Sequence, residues 1–239
     1  MSKVNAVHHV AISTANMKSQ LEFFSDVLGL ELVGLFWMHG VPDAWHAFMK
    51  LGEASFSFVF LPGNAQQETT IGHTHAGNGA GTSAPGTMQH IALNVDTMDD
   101  LLFMRDRIRS RGVPVFGPLD HGLCHSIYFA GPENLALELA TTDQAKHPLD
   151  SEQSWIDPEV ASLAGLSPED IQKLCRPEPF EQPSEPIAQP AYSENVPHLS
   201  YPEDVYHAML AIPDEHMNTR PSDRVPPNER PERASRTQQ

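Results

Sequence analysis

Two histidines and one glutamate could together bind a metal ion. His9 begins the sequence HVAIS, and His90 begins the similar sequence HIALN 81 residues later. Glu138 lies in the sequence LALELA, where burial of an unpaired carboxylate would be costly. Two imidazoles and one carboxylate with open coordination positions form the facial triad of non-haem Fe(II) oxygenases, although Zn, Mn or Ni can occupy related sites. A hydrogen-bonded histidine and glutamate in an ordinary cavity are the alternative interpretation.

The alternation of side chains along these sequences predicts strands that line a cavity. Successive residues of a strand point to opposite faces, so Val10 and Ile12 form an apolar face. His9 shares the other face with Ala11 and Ser13, which are small. The two later sequences alternate in the same way. Because a core histidine more usually has large aliphatic neighbours, we expect all three ligand candidates to face a cavity.

An internal repeat places the two histidines at equivalent positions. In each copy a strand is followed by a helix and then by three strands, and the helix caps Asn16 and Thr97 keep the offset of 81 residues. We therefore predict an α+β domain of two paired βαβββ units, residues 5–62 and 87–142, joined by a loop at residues 62–86. The pair is expected to form a curved mixed sheet around a metal-binding cavity.

The repeat also shows where the two copies differ. Glu138 lies 48 residues after His90, and the residue 48 positions after His9 is Ser57. The first copy therefore offers no fourth carboxylate at this position. We expect three protein ligands with water elsewhere, which leaves the open positions that a substrate and dioxygen need.

Proline content separates a compact domain from a C-terminal extension. Of the 21 prolines, 15 lie from Pro148 onward. We therefore predict a domain over residues 1–145 and a Pro- and Glu-rich extension over residues 146–239. Short helices are expected after the caps Asp157 and Ser167, each of which is followed by proline, and the end of the extension is expected to be disordered.

Charge and hydropathy exclude several classes of partner. A formal net charge of −16 argues against binding to nucleic acid or to an anionic membrane surface, since both need clustered Lys and Arg. No apolar run reaches the roughly 20 residues that a membrane span needs. Two cysteines, Cys124 and Cys175, provide no disulfide framework. A cytoplasmic location is the resulting expectation.

These residues resemble the vicinal oxygen chelate superfamily, which includes glyoxalase I, bleomycin-resistance proteins, methylmalonyl-CoA epimerase and type I extradiol dioxygenases. The resemblance covers roughly residues 5–145. It depends on HVAI from His9, HIAL from His90 and SIYFAGPENLALEL, which contains Glu138. In this superfamily a histidine on the first strand of each unit and a glutamate on the final strand bind the metal, which matches these three residues and favours His9 over His8.

Two further residues resemble the extradiol branch of the superfamily. Its members have a tyrosine ten residues before the glutamate ligand, where Tyr128 stands here. They also have an active-site histidine on a middle strand of the first unit, which His46 in AWHAF resembles. The match is incomplete, because Gly131 replaces the usual acidic or amide residue before proline and Asn134 stands where glycine is common.

The resemblance implies an Fe(II)-dependent, extradiol-type ring-cleaving dioxygenase acting with dioxygen on a small catechol-like or hydroquinone-like aromatic substrate. Tyr128 would hydrogen-bond the substrate, and His46 would act as general base or acid, a role that suits its near-neutral unperturbed pKa. Surface-loop positions are the alternative for the two histidines among the four expected substrate contacts. These contacts are His121, His125, Trp45 and Phe48.

Two other functions use the same scaffold. One is non-redox catalysis by Zn, Ni, Co or Mn in the manner of glyoxalase I or an epimerase, which the serine at position 57 disfavours. The other is a metal-free small-molecule binding protein of the bleomycin-resistance type. Superfamily members often pair units between subunits, so the resemblance also implies a homo-oligomer, most simply a homodimer.

Overall fold

A computed structural model describes residues 4–149, 152–218 and 225–229. The chain divides into two compact parts between Arg176 and Pro177. The N-terminal part continues past the predicted domain end at residue 145. There the indole Nε1 of Trp155 donates a hydrogen bond to the carbonyl oxygen of His147 at 2.8 Å.

The first unit is a four-stranded mixed sheet with one helix. Its elements are β1 His9–Thr14, α1 Met17–Glu22, a π-helical turn Phe23–Val27, β2 Leu32–Trp37, β3 Trp45–Leu51 and β4 Ala54–Phe60. The strand order is β1-β4-β3-β2, with β1 parallel to β4 and the other pairs antiparallel. Asn16 caps α1 as predicted, because its Oδ1 accepts the backbone N–H of Ser19 at 3.1 Å.

The second unit repeats this arrangement and confirms the predicted α+β fold of two βαβββ units. Its elements are β5 Ile91–Asn94, α2 Met98–Ser110, β6 Phe116–Asp120, β7 His125–Ala130 and β8 Ala136–Thr141. The order β5-β8-β7-β6 matches the first sheet strand for strand. Thr97 and Asp100 form the predicted capping box of α2.

The sequence pattern predicts a strand near residues 113–116, whereas β6 spans Phe116–Asp120. Its pairing with β7 begins only where Phe116 lies opposite Tyr128. Gly117 then adopts a φ of +100°, and a Cβ there would lie 2.5 Å from the carbonyl oxygen of Ser126. Only glycine fits this bulge between the two strands, so the strand is shifted rather than missing.

The two units share one hydrophobic core, formed by the sheet faces opposite the candidate site. In the first unit the fully buried rings of Phe56 and Phe58 contact Phe24, with ring centroids 5.0 and 4.8 Å apart. In the second unit Leu137 and Ile127 are similarly buried. Each such side chain contributes about 1.5–3 kcal/mol of burial free energy. Because apolar side chains alternate with the candidate site residues along the strands, burial of the apolar face in the core leaves the site residues on the opposite face.

Side chains of the second unit also make polar contacts with the first. Glu133, in the turn between β7 and β8, accepts the backbone N–H of Ala15 at 2.7 Å and the side-chain amide of Gln20 at 2.7 Å. Arg107 on α2 donates to the carbonyl oxygen of Val27 at 3.0 Å. Glu133 thus lies near the N-terminal end of the first unit's helical segment and Arg107 at its C-terminal end, where backbone groups lack partners within the helix.

Short helices follow the domain. They are α3 Pro158–Leu163, α4 Pro168–Cys175, α5 Glu203–Leu210 and α6 Asp214–Asn218. Asp157 and Ser167 cap the first two, as predicted. In the C-terminal part the ring of Tyr192 contacts those of His198 and Tyr206, at 5.1 and 5.4 Å. Among the described residues, no helix has the length and apolar character needed to cross a membrane.

Candidate active site

The registers of the two sheets make the positions on their candidate-site faces directly comparable. In the second sheet Glu138 on β8 pairs with Tyr128 on β7. In the first sheet Ser57 on β4 pairs with Phe48 on β3. Ser57 also pairs with Ala11 on β1, and Glu138 with Ala92 on β5. Ser57 therefore occupies the position of Glu138, as the repeat predicted.

Glu138 is the centre of a hydrogen-bonded cluster in the second unit. Its side chain lies within the fold, since Glu138 is only 5% exposed. One carboxylate oxygen lies 2.9 Å from Nε2 of His90, and the other accepts the phenol of Tyr128 at 3.1 Å. Nε2 of His121 lies 2.9 Å from the same phenol oxygen. Four predicted site residues are thus brought together around one carboxylate.

The phenol of Tyr128 acts as a donor in this cluster. Burial is the main effect that raises its pKa above the usual value, a hydrogen bond with Ser126 opposes it, and the adjacent Glu138 carboxylate raises it further. The proton therefore remains on the phenol at neutral pH. Because the phenol hydrogen is directed to Glu138, the imidazole of His121 is the donor to the phenol oxygen.

The hydrogen-bond partners of His90 define which of its nitrogens carries hydrogen. Its Nδ1 contacts Oε1 of Gln89, whose Nε2 donates to the backbone carbonyl oxygen of Asn78 at 3.0 Å. A carbonyl can only accept, so the amide nitrogen of Gln89 must face Asn78 and its oxygen must face His90. Nδ1 of His90 therefore carries a hydrogen. Gln89 was not identified from the sequence.

A hydrogen or a metal ion must lie between Nε2 of His90 and the Glu138 oxygen that faces it. With hydrogen on Nδ1, a neutral His90 imidazole presents the lone pair of Nε2 to a carboxylate oxygen 2.9 Å away. Two acceptors at this distance need a shared proton or a shared metal ion. This donor pair therefore fits a divalent transition metal, which binds imidazole nitrogen and carboxylate oxygen at about 2.0–2.2 Å.

His9 belongs to a separate cluster in the first unit. Its Nδ1 lies 2.8 Å from Nδ1 of His8, and its ring centroid lies 6.0 Å from that of Phe48. Across the described ranges, no group of three or more His, Cys, Asp or Glu side chains is close enough to hold a metal ion. The structure therefore brings two of the three predicted ligands together, and His9 stands apart from them.

His46 lies on the same face of the first sheet as His9. Its ring contacts those of Phe36 and Phe48, with centroids 4.3 and 5.0 Å apart. Its Nε2 is buried and has no hydrogen-bond partner within the described part of the chain. Burial, followed by the nearby His39 and His9, lowers the pKa of His46 below 6.5. His46 is thus a neutral imidazole with an unsatisfied nitrogen, the state that a general base requires.

Trp45 and His125, two of the predicted substrate contacts, lie on other faces. Trp45 precedes His46 on β3, so its side chain points to the opposite side, where it stacks on Phe60 at 3.9 Å. His125 begins β7 three positions before Tyr128 and likewise points away from it. The structure does not bring these two residues to the candidate site. Strand alternation alone could have identified both.

Comparison with known proteins identifies related sequences and folds. Residues 6–139 match the family model described as the glyoxalase/bleomycin resistance protein/dioxygenase superfamily. A protein of Bacillus subtilis (strain 168) named "Putative ring-cleaving dioxygenase MhqA" is 28% identical over 174 residues. That alignment covers 71% of this chain and 50% of the relative, so the chain spans about half of the relative's length.

Solved structures with a similar fold have low sequence identity. A glyoxylase/bleomycin resistance protein/dioxygenase domain from Frankia sp. EAN1pec is 16% identical, with a TM-score of 0.47, and the match covers 58% of this chain and 93% of that one. A lactoylglutathione lyase from Agrobacterium tumefaciens is 18% identical, with a TM-score of 0.42, and the match covers 59% and 96%.

Proposed function

The chain belongs to the glyoxalase/bleomycin resistance protein/dioxygenase superfamily, and we propose that it is an Fe(II)-dependent dioxygenase that cleaves the ring of a catechol-like or hydroquinone-like aromatic. The observation that carries this proposal is the buried Glu138 carboxylate, shared between an imidazole nitrogen and a phenol. The name of the Bacillus subtilis relative supports the same reaction class.

His9, His90 and Glu138 would hold the metal. When bound, iron would supply a centre at which an aromatic diol and dioxygen meet and exchange electrons. The protein's own contribution begins with the orientation of the ligands. Tyr128 donates to one oxygen of Glu138, and this leaves the other oxygen directed at Nε2 of His90.

Tyr128 and His121 would orient the substrate. The protonated phenol can turn from Glu138 to donate to an oxygen of the bound diol, since both acceptors would lie on the same side of the sheet. His121 holds the phenol oxygen from the opposite direction at 2.9 Å. Such prior positioning lowers the entropic part of the barrier.

His46 would take a proton from the substrate hydroxyl. Its lowered pKa keeps it neutral at pH 7, and its buried Nε2 has no other partner within the described residues. The rings of Phe36 and Phe48 surround it, so they would form an apolar wall against an aromatic substrate and exclude water. A substrate would reach Nε2 only when these rings rotate.

Ser57 favours redox chemistry over the glyoxalase type of reaction. Its side chain is 2% exposed and lies in the position that Glu138 occupies in the other sheet. A hydroxyl is a far weaker metal ligand than a carboxylate. The proposed site therefore keeps positions open for the substrate and dioxygen.

The separation of His9 from the other two ligands supports a homodimer. We propose that the first unit of one protomer faces the second unit of its partner, because the two units of one chain are joined through their core faces and end contacts. His9 would then meet His90 and Glu138 of the partner subunit. A two-fold symmetric dimer would contain two equivalent sites of this kind.

The direct test is turnover with iron. Protein purified without oxygen and loaded with Fe(II) is mixed aerobically with a panel of catechols and hydroquinones, and oxygen uptake and the absorbance of ring-opened products are recorded. We expect stoichiometric oxygen consumption with at least one substrate, lost in Glu138→Ala and kept in Glu53→Ala, an exposed glutamate of the β3–β4 turn. Iron-loaded protein that consumes no oxygen across the panel, or that catalyses only isomerisation with Zn or Ni, would overturn the proposal.

A further inference from the structure

The loop between the two units folds back on itself through internal hydrogen bonds. Gly72 donates its backbone N–H to the carbonyl oxygen of His75 at 2.8 Å, and Ala84 donates to that of His73 at 2.7 Å. Ala76 is only 2% exposed. These contacts give residues 70–86 a defined shape, which composition rich in Gly, Thr and Ser did not predict.

This loop lies against the candidate site. A Cβ built on Gly79 would be 3.9 Å from a ring carbon of Tyr128, so the backbone of the loop lies next to the phenol ring. Gly81, two residues later, could not carry a side chain, because its Cβ would lie 2.0 Å from the carbonyl oxygen of Ala76. The tight turn therefore places the loop backbone, rather than side chains, over Tyr128.

One side chain connects this loop to His90. Gln89 donates from Nε2 to the carbonyl oxygen of Asn78, next to Gly79, and its Oε1 accepts from Nδ1 of His90. Glutamine suits this position because it has a donor and an acceptor at the same end of its side chain. The loop, Gln89 and His90 thus form one continuous chain of hydrogen bonds.

We propose that Gln89 is a positioning residue that couples the conformation of loop 70–86 to the metal ligand His90. With the loop in place, Gln89 keeps the hydrogen on Nδ1, orients the ring and leaves Nε2 as the ligating atom. When the loop moves, the hold on Asn78 is lost and His90 becomes free to turn. This inference rests on the proposed metal site, whereas the connection between loop and histidine stands on the contacts themselves.

Two substitutions separate the two ends of Gln89. Gln89→Met removes both hydrogen bonds at similar volume. Gln89→Glu keeps an acceptor for His90 but places a carboxylate oxygen against the carbonyl of Asn78, so only the loop contact is lost. Gln67→Met is the matched control, because Gln67 is an exposed glutamine that precedes the same loop.

Fe(II) and Zn(II) affinities are measured by competition with a chelator, and hydrogen exchange of residues 70–86 is measured in the metal-free proteins. We expect Gln89→Met to bind metal about 10- to 100-fold more weakly. Gln89→Glu, which keeps the acceptor for His90 but loses the loop contact, should bind metal more weakly than wild type and more tightly than Gln89→Met. Both variants should show faster exchange in the loop, and Gln67→Met should match wild type in both measurements.

Several outcomes would overturn the inference. Wild-type loop exchange in Gln89→Met would show that Gln89 does not hold the loop. Wild-type metal affinity in Gln89→Glu would show that the loop contact has no effect on His90, and equal loss in both Gln89 variants would show that the acceptor end of Gln89 does not position His90. If wild-type protein binds no metal, the proposed function fails, but loop exchange in the metal-free Gln89 variants still decides whether Gln89 holds the loop.

Discussion

The two βαβββ units have the same strand order and equivalent registers, but the sheet faces opposite the core carry different side chains. The second unit presents a buried carboxylate between an imidazole and a phenol. The first presents a serine, a phenylalanine and the imidazole of His46, whose Nε2 has no hydrogen-bond partner among the described residues. The repeated backbone provides matching positions, and the side chains at those positions differ between the two halves.

The largest expected effect comes from making the two halves alike. Ser57→Glu places a carboxylate where the second unit has Glu138, and it would occupy a coordination position that substrate or dioxygen needs. We expect ring-cleaving activity to fall on the order of a thousandfold, equivalent to several kcal/mol of lost transition-state stabilisation, while bound metal is retained. Oxygen uptake and metal content of the folded variant are the measurements.

Ser25→Glu is the control for this substitution, because Ser25 is an exposed serine of the π-helical turn Phe23–Val27 and does not belong to the sheet that carries Ser57. It adds the same charge without reaching the equivalent of Glu138. We expect a much smaller loss of activity than in Ser57→Glu. Wild-type turnover in folded Ser57→Glu would contradict the placement of Ser57 beside the metal.

A second prediction concerns how the halves combine. If each site uses His9 from one protomer and Glu138 from the other, a heterodimer of His9→Ala and Glu138→Ala chains contains one intact site. Co-expression should then restore about half of the wild-type activity per dimer, although each variant alone is inactive. The measurement is turnover by doubly tagged heterodimers. Inactive heterodimers would show that each site is built within one chain.

Local patterns were sufficient to predict the duplicated fold. Alternation set the faces of β1 and β8, the caps Asn16 and Thr97 set the helix starts, and the offset between the repeats predicted the equivalence of Ser57 and Glu138. Each of these signals spans a few residues or compares two copies of the same pattern. They can therefore be recognised in the sequence without knowledge of the tertiary structure.

Contacts across long sequence separations could not be predicted in this way. Glu133 stands in an ordinary turn, and only the packing of the two units brings it to Ala15. Gln89 gains its partner from an irregular loop, whose path depends on a few glycines. The position of Trp45, in contrast, could have been predicted from the sequence. Adjacent residues of a strand point to opposite faces, so Trp45 and His46 cannot lie on the same face.

Glu133 provides a third test, because the corresponding turn of the first unit carries the exposed Glu53. Burial acts to raise the pKa of Glu133, but hydrogen bonds from Thr14, Gln20 and backbone amides outweigh it and hold the pKa below 4.5. Glu133→Gln should lower the free energy of unfolding by about 1–3 kcal/mol at neutral pH, as measured by urea denaturation. Glu53→Gln should have no measurable effect.

The lowered pKa of Glu133 determines how the stability difference between wild type and Glu133→Gln depends on pH. A carboxyl group with a lowered folded-state pKa stabilises the protein above its unfolded pKa, and this contribution is lost as pH falls through the folded-state value. The gap between wild type and Glu133→Gln should therefore narrow below about pH 4.5. A gap that stays constant with pH would show that the carboxylate charge is not the source of the stabilisation.

His46 gives the smallest expected effect and tests the first half of the comparison directly. Burial, His39 and His9 all lower its pKa, so the unfolded chain binds a proton at this residue more readily than the folded protein does. Stability should therefore decrease as pH falls from 6.5 toward the folded-state pKa, and His46→Gln should weaken this dependence. An NMR titration should give a pKa below 6.5 for His46, raised in His39→Gln. A metal ion bound by His9 would lower the pKa of His46 further. A pKa at or above 6.5 in the metal-loaded protein would therefore contradict the role of His46 as general base. It would also remove the proposed difference in chemistry between the two halves.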